Sequence, residues 1–265
     1  MILPYRSYYF AFLRLTCILF PVFSFAQYFS IDTIKDESPY RSQFSFIFPH
    51  TTNKDHPEAA NRIFTDLAKD VLNIEPGHQK RSLFENVWGS QEMDIAPVSD
   101  ISYRVVNNDA DFFSITISAT GCGAYCENWT RYYTYESGTG RKIKLEEIYT
   151  DDGLEKILGL VNTLKLKRIQ DKISDIDETI KANALSDEDK RDYKKAVNIY
   201  EQCQHSSNPR EYIGFSLDKG QITIYQDYCL PHAIHFLDKV DYAFSFDIAA
   251  VKNYLSDYGK SLLKQ

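Results

Sequence analysis

Glycine and proline are scarce, at 11 and 9 positions in 265 residues. That excludes collagen-like and proline-rich low-complexity chains, and no Pro/Gly/Ser stretch or internal repeat divides the sequence. Basic residues are also in deficit, 30 against 37 acids, for a net charge of −7. A field of that sign repels phosphate backbones, so nucleic acid is not an expected partner. Beyond Ala26 no apolar run approaches the roughly 18 residues needed for a membrane-spanning helix. Two enzyme signatures are missing as well. There is no Gly-x-Ser-x-Gly elbow, and Gly138-Thr-Gly140-Arg-Lys lacks the glycine spacing of a phosphate-binding loop. The chain does have aromatics, 19 Tyr and 17 Phe within 43% hydrophobic residues, which favours a sheet-rich fold built on ring packing.

Residues 1–26 contain Arg6 and Arg14, no acid, and then the apolar run Leu15 to Ala26. This has the form of a secretory signal, with small Ser24 and Ala26 before an expected cut at Ala26/Gln27. As a helix the apolar run rises about 18 Å, well short of the roughly 30 Å of bilayer hydrocarbon. The expected product is exported, periplasmic or secreted, more acidic than its precursor, and not stably inserted in a membrane. Cys17 leaves with the signal.

Cys122, Cys126, Cys203 and Cys229 remain, an even number for an oxidising compartment. Three pairings are open. Cys122–Cys126 is favoured by proximity, and Cys203–Cys229 because both flank one expected hairpin. The alternative is a zinc site from Cys122, Cys126, Cys229 and His232, which would suit a zinc-dependent hydrolase acting on envelope material. The spacing is loose and exported thiols oxidise readily, so no metal or other cofactor is expected.

Alternation over Phe44, Phe46 and Phe48 predicts a strand from Tyr40, ended by Pro49. Pro57 opens a helix with Ala60, Ile63, Phe64, Leu67, Ala68 and Val71 on one face, closing before Pro76-Gly77. Asp100 to Asn107 and Phe112 to Ala119 form a hairpin, continued by Trp129 to Tyr135. After the Glu136 to Gly140 turn come a short strand, Arg141 to Leu145, and a helix start. Two or three helices follow between Leu154 and Tyr200, one capped by Ser186. Tyr212 to Leu217 and Gln221 to Tyr225 form a hairpin around Asp218-Lys219-Gly220, and Tyr242 to Phe246 is the last strand. Asp247 is expected to cap a single C-terminal helix.

The segment Tyr133-Thr-Tyr-Glu-Ser-Gly-Thr-Gly-Arg-Lys-Ile-Lys-Leu-Glu-Glu-Ile-Tyr149 carries an aromatic strand, a Thr-Gly turn, a leucine, acids and a hydrophobic pair. Phe215-Ser-Leu-Asp-Lys-Gly-Gln-Ile-Thr-Ile-Tyr225, Phe244-Ser-Phe-Asp247 and Val251 to Leu255 add a strand, strand, helix ending. In that order they resemble the extracytoplasmic domain of RsiV-type anti-sigma factors and of PdaC-type peptidoglycan deacetylases, over most of Tyr40 to Tyr258. Cys122-Gly-Ala-Tyr-Cys126 sits where that family has a Gly-Gly-Ala-His-like loop, so Tyr125 replaces its histidine. The resemblance implies an isolated, exported α+β module whose function is to bind an extracytoplasmic protein or cell-wall glycan.

Candidate chemistry is sparse. His232 and His235, near Asp227 and Asp238, could serve as a general base, but no nucleophile accompanies them. Glu146 with Glu147, and Asp151 with Asp152, are adjacent and diverge, unlike the facing acids of a glycosidase, and read as helix-start charges. Leu164-Lys-Leu-Lys-Arg168 reads as a solvated helix face. The loop from Cys122 to Arg131 is the most suggestive surface. Tyr125, Glu127, Trp129 and Arg131 combine large contact area with few rotors, on a segment a short disulfide would hold ready; Trp129 reads equally well as a core residue of its strand. Asn128-Trp-Thr130 also fits a glycosylation sequon. The expected architecture is α+β: an antiparallel sheet of several strands with helices packed on it, as a single domain over 40–265 after a lead-in at 27–39, binding rather than catalytic.

Overall fold

Every second residue along Phe113, Ile115, Ile117 and Ala119 is apolar and buried, while the residues between them include Ser114, Thr116 and Ser118. This period of two gives a strand with one dry face and one hydroxylated face. The computed structural model describes residues 28–88, 98–122, 126–182, 185–206, 212–230 and 240–264, the side chains at 41–44, 122, 126–127 and 206 apart. Five strands make the larger sheet: β1 (Ser30–Ser38), β2 (Arg41–Thr52), β3 (Asp100–Asn108), β4 (Phe112–Cys122) and β5 (Cys126–Glu136), in that spatial order. Helix α1 (Pro57–Leu72) packs Ile63, Leu67 and Ala68 onto its dry face against Phe46, Phe48, Ile101 and Phe113. Pro57 opens this helix, and Asn73, in the left-handed conformation, ends it, as expected of the residue after a helix C-terminus.

The chain then forms a helical turn, α2 (Leu145–Ile148), the long α3 (Asp151–Lys181) and its neighbour α4 (Asp187–Ser206). Strands β6 (Gly214–Asp218), β7 (Gln221–Tyr225) and β8 (Ala243–Asp247) make a second, antiparallel sheet, followed by α5 (Ile248–Val251) and α6 (Asp257–Leu262). A second core joins Phe215, Leu217, Ile222, Ile224 and Phe244 to Ile157, Leu158 and Val161 of α3. β6 runs across the hydroxylated face of the first sheet, where the Leu217 N–H donates to Ser114 Oγ at 3.2 Å. Ser114 and Thr134 share a hydrogen bond of 3.0 Å there, and Ser118 and Thr130 one of 2.9 Å. A third cluster, Ile169, Ile173 and Ile176 with Ala196 and Tyr200, holds α3 to α4. Cys203 and Cys229 form a disulfide that ties the end of α4 to the segment after β7.

The α+β class matches the expectation, and several details differ. The larger sheet is mixed, because β2 and β3 pair in parallel at Ser45–Asp100 and Phe46–Ile101. The connection through α1 is a crossover, which returns the chain in its original direction. The stretch expected as a lead-in supplies β1, paired with β2 from Ser30–Thr52 to Ser38–Arg41. Pro49 does not end β2, which runs on to Thr52. β3 joins β2 only near residues 45 and 46, so at Pro49 one side of the strand carries no ladder to interrupt. In place of a strand at Arg141 to Leu145 there is one isolated bridge, Tyr135–Lys142. The C-terminal helix is broken at Leu255, which bridges to Tyr149, and the Asp247 side chain caps nothing. Ser186 caps α4 as expected, accepting from the Asp189 N–H at 3.1 Å.

Candidate functional site

The site grows from a match of two periods. Asp66 and Asp70 lie four residues apart on α1, a rise of about 6 Å, while Tyr133 and Tyr135 lie two apart on β5, about 6.7 Å. The Tyr135 hydroxyl donates to Asp66 at 2.7 Å and the Tyr133 hydroxyl to Asp70 at 2.5 Å. Arg131, next on the same face of β5, reaches Asp70 at 3.0 Å and donates to the Asp70 carbonyl at 2.7 Å. Burial pushes the Asp70 carboxyl upward, but the Tyr133 hydrogen bond and the Arg131 charge outweigh it and hold the acid below its usual range. Burial, then the bond to Asp70, drives the Tyr133 phenol far above its ordinary value, so it stays a donor. The Lys142 ammonium lies 4.6 Å above the Tyr133 ring and 3.8 Å from Asp66.

Around this row lies an open cleft of about 590 Å³ beside β5. Its far wall is the segment from Lys142 to Glu146, and Tyr212 to Phe215 lines it as well. Gly214 is required here by close approach, since a Cβ at that position would meet Tyr132 Cβ at 2.7 Å. The Tyr132 ring in turn stacks on Tyr225, with centroids 3.6 Å apart. The Tyr212 hydroxyl donates to Glu146 at 2.7 Å. A further cluster anchors the near end. Arg141 binds Glu136, Glu147 and Tyr258, and the Glu136 carboxyl is lowered to about 2, chiefly by the hydrogen bond from Arg141. In the turn before it, Gly140 adopts φ +64° directly beneath α1, and a Cβ there would lie 2.3 Å from the Ala59 carbonyl oxygen.

Of the four expected binding residues, Trp129 and Arg131 come together, with the guanidinium 5.0 Å from the indole centroid. Trp129 is half-buried and packs on the first core, as the core reading of it expected, and it is not among the described residues that line the cleft. Arg131 lines the cleft. Tyr125 and the Glu127 side chain lie outside the described residues, as do those of Cys122 and Cys126, although the backbones of Cys122 and Cys126 are register partners. The Cys203–Cys229 pairing is present. That bond occupies the Cys229 sulfur, which removes a thiolate from the alternative zinc set; His232, His235 and Asp238 lie outside the described residues. Glu146 and Glu147 hold Tyr212 and Arg141, as structural acids do. The stripe at Leu164 to Arg168 is not simply a solvated face: Lys165 is buried, reaching the Asp227 carbonyl at 3.4 Å, and Arg168 binds the carbonyls of Asp241 and Ala243. Asp66, Asp70, Lys144 and Tyr212 went unnoticed in the sequence. The paired spacings, acids at i and i+4 and tyrosines at i and i+2, were the available signal for the first two.

No family model and no curated protein matches the chain. Solved structures do. One, from Bacteroides fragilis, is described as a member of the DUF3298 family and superposes with a TM-score of 0.56 at 11% identity, covering 89% of this chain and 96% of that one. Another DUF3298 family protein, from Pseudomonas aeruginosa, gives 0.53 at 12% identity, with 88% and 95% covered. The chain has the fold of DUF3298 proteins. At these identities the likeness is one of overall fold and says nothing of the cleft side chains.

Proposed function

We propose that the protein is an exported binding module that recognises an extracytoplasmic protein or cell-wall glycan through the cleft beside β5. The observation that carries the reading is the composition of that cleft. It is lined by tyrosines, charged side chains and exposed Ile213, with no serine, cysteine or histidine among the described lining residues, and its acids Asp70 and Glu146 are engaged by Arg131 and Tyr212. Aromatic and arginine side chains held in place by hydrogen-bond and ion-pair partners, as Arg131 and Tyr133 are by Asp70, are what low-entropy recognition uses. Export is supported by the apolar segment ahead of Gln27, by the Cys203–Cys229 disulfide, and by the lack, among the described residues, of a helix long and apolar enough to cross a membrane. The sequence resemblance to RsiV- and PdaC-type extracytoplasmic domains supports it too. The test is retention of lysozyme-like proteins and of peptidoglycan fragments on the immobilised chain, in parallel with turnover assays on the same fragments. Retention lost in Arg131→Glu supports the reading. Turnover without retention overturns it.

A further inference from the structure

We propose that the outer edge of β5 takes up an extended, carboxylate-bearing polypeptide segment as an added strand. This rests on the binding-module reading and specifies how the cleft is used. The two edges of the five-stranded sheet differ in the way that matters for strand addition. β1 carries Asp32, Lys35, Asp36 and Glu37, the kind of charge that blunts an exposed edge. From Asn128 to Thr134, β5 has one charged residue, Arg131, already held by Asp70.

The hydrogen-bond register shows which groups face outward. Thr134 accepts from the Ile143 N–H at 2.8 Å and Glu136 donates to the Arg141 carbonyl at 2.9 Å, both away from β4. The β4–β5 ladder is continuous from Phe112–Glu136 to Cys122–Cys126, so alternation turns the main-chain groups of Tyr132 and Thr130 to the same outer side. Among the described residues no strand pairs with them there. The neighbouring segment starts a strand position at Arg141 to Ile143 and then abandons it, turning into α2 at Leu145 and opening the cleft. A guest strand of about five residues would continue that position. It would satisfy the donors and acceptors of Tyr132 and Thr130 and set alternate side chains near Tyr212 and Ile213, the latter 45% exposed.

Charge selects the guest. The lining holds Arg131, Lys142 and Lys144 against Asp70 and Glu146. Arg131 is bound to Asp70, and Glu146 accepts from Tyr212, while Lys142 stands 3.8 Å from Asp66. Lys144 has no ion-pair partner among the described residues. With Asp66 and the Glu146 carboxylate counted, the lip as a whole is near neutral, so the guest is selected by one group: the exposed Lys144 ammonium, which favours a segment that sets an aspartate or glutamate beside it. A glycan lacks main-chain N–H and C=O groups at strand spacing and cannot supply this ladder.

Selection of random displayed heptapeptides on the full chain, followed by synthesis of the enriched sequences, tests the proposal. The expected result is acidic peptides whose affinity falls about tenfold or more when alternate main-chain amides are N-methylated, a change that leaves the protein untouched. Lys144→Glu, on an exposed side chain, should weaken the same peptides, and the amides of Thr130 and Tyr132 should gain protection from hydrogen exchange. Peptides indifferent to N-methylation, selection of basic peptides, or a dimer closed through β5 would each overturn strand addition. If peptidoglycan fragments or folded proteins are retained while the peptide results fail, strand addition falls and the binding-module reading stands. If nothing is retained, both fall.

Discussion

The two faces of the five-stranded sheet do different work. On one, Phe46, Phe113, Ile115 and Ile117 meet α1 in an apolar interface with few polar contacts, among them Tyr133 and Tyr135 reaching Asp70 and Asp66 and Thr51 donating to the Ala60 carbonyl. On the other, Ser114, Ser118, Thr130 and Thr134 hydrogen-bond one another, and Ser114 takes a backbone N–H from β6. Burial of apolar area is strong and non-directional, whereas a buried hydrogen bond contributes little net energy and is costly to leave unmade. The first face therefore supplies most of the stability. The second fixes where the smaller sheet sits, and with it Gly214 and Tyr212 along the cleft.

That contrast can be broken most sharply at Phe113, fully buried and 5.4 Å from the Phe29 ring. Phe113→Ala should cost about 3–5 kcal/mol in urea unfolding, through lost burial and the cavity left behind. Ser114→Ala on the opposite face should cost less, about 1–3 kcal/mol, because the buried Leu217 N–H loses its acceptor. A loss as large as that at Phe113 would mean that the hydroxylated face carries the energy too. A pH titration comes next. Glu136 is lowered to about 2 from an ordinary 4.5. A carboxyl depressed in the folded state stabilises fully above its unfolded value, and that contribution fades as pH falls from about 4.5 to about 2. Glu136→Gln should therefore flatten the acid limb of the stability curve in this window, with its loss of stability full above about 4.5 and vanishing toward about 2. The smallest effect is expected at Arg131, whose ion pair with Asp70 has side chains 46% and 42% exposed. Arg131→Gln should shift stability by less than about 1 kcal/mol, and a larger loss would move that residue from the proposed binding surface to the framework.

How much of this was legible in the sequence follows from the range of each interaction. α1 could be read from Pro57 and its three-and-four spacing, and the β6–β7 hairpin from Lys219-Gly220, because helices and tight turns are decided by neighbours in the chain. β1 was missed because its Ile31 and Ile34 lie among charges that local alternation does not favour, and pairing with β2 decides its state. The parallel β2–β3 contact depends on a crossover, which no short window contains. Trp129 and Arg131 were singled out by residue type, and the structure sets them in contact on one face of β5. The cleft was not singled out, since it joins Arg131, Lys144 and Tyr212, residues from three separate segments. The Cys203–Cys229 bond was favoured for flanking one hairpin, and the structure adds that it seals the α3–α4 cluster.

Helix α3 belongs to two cores at once: Ile157, Leu158 and Val161 sit in the second, and Ile169, Ile173 and Ile176 in the third, with buried Lys165 between them. A rod of about 46 Å anchored this way has a natural breakpoint in its middle. Hydrogen exchange should separate the two halves, the distal one opening at lower cost but only as far as the Cys203–Cys229 disulfide lets α4 move from the segment after β7.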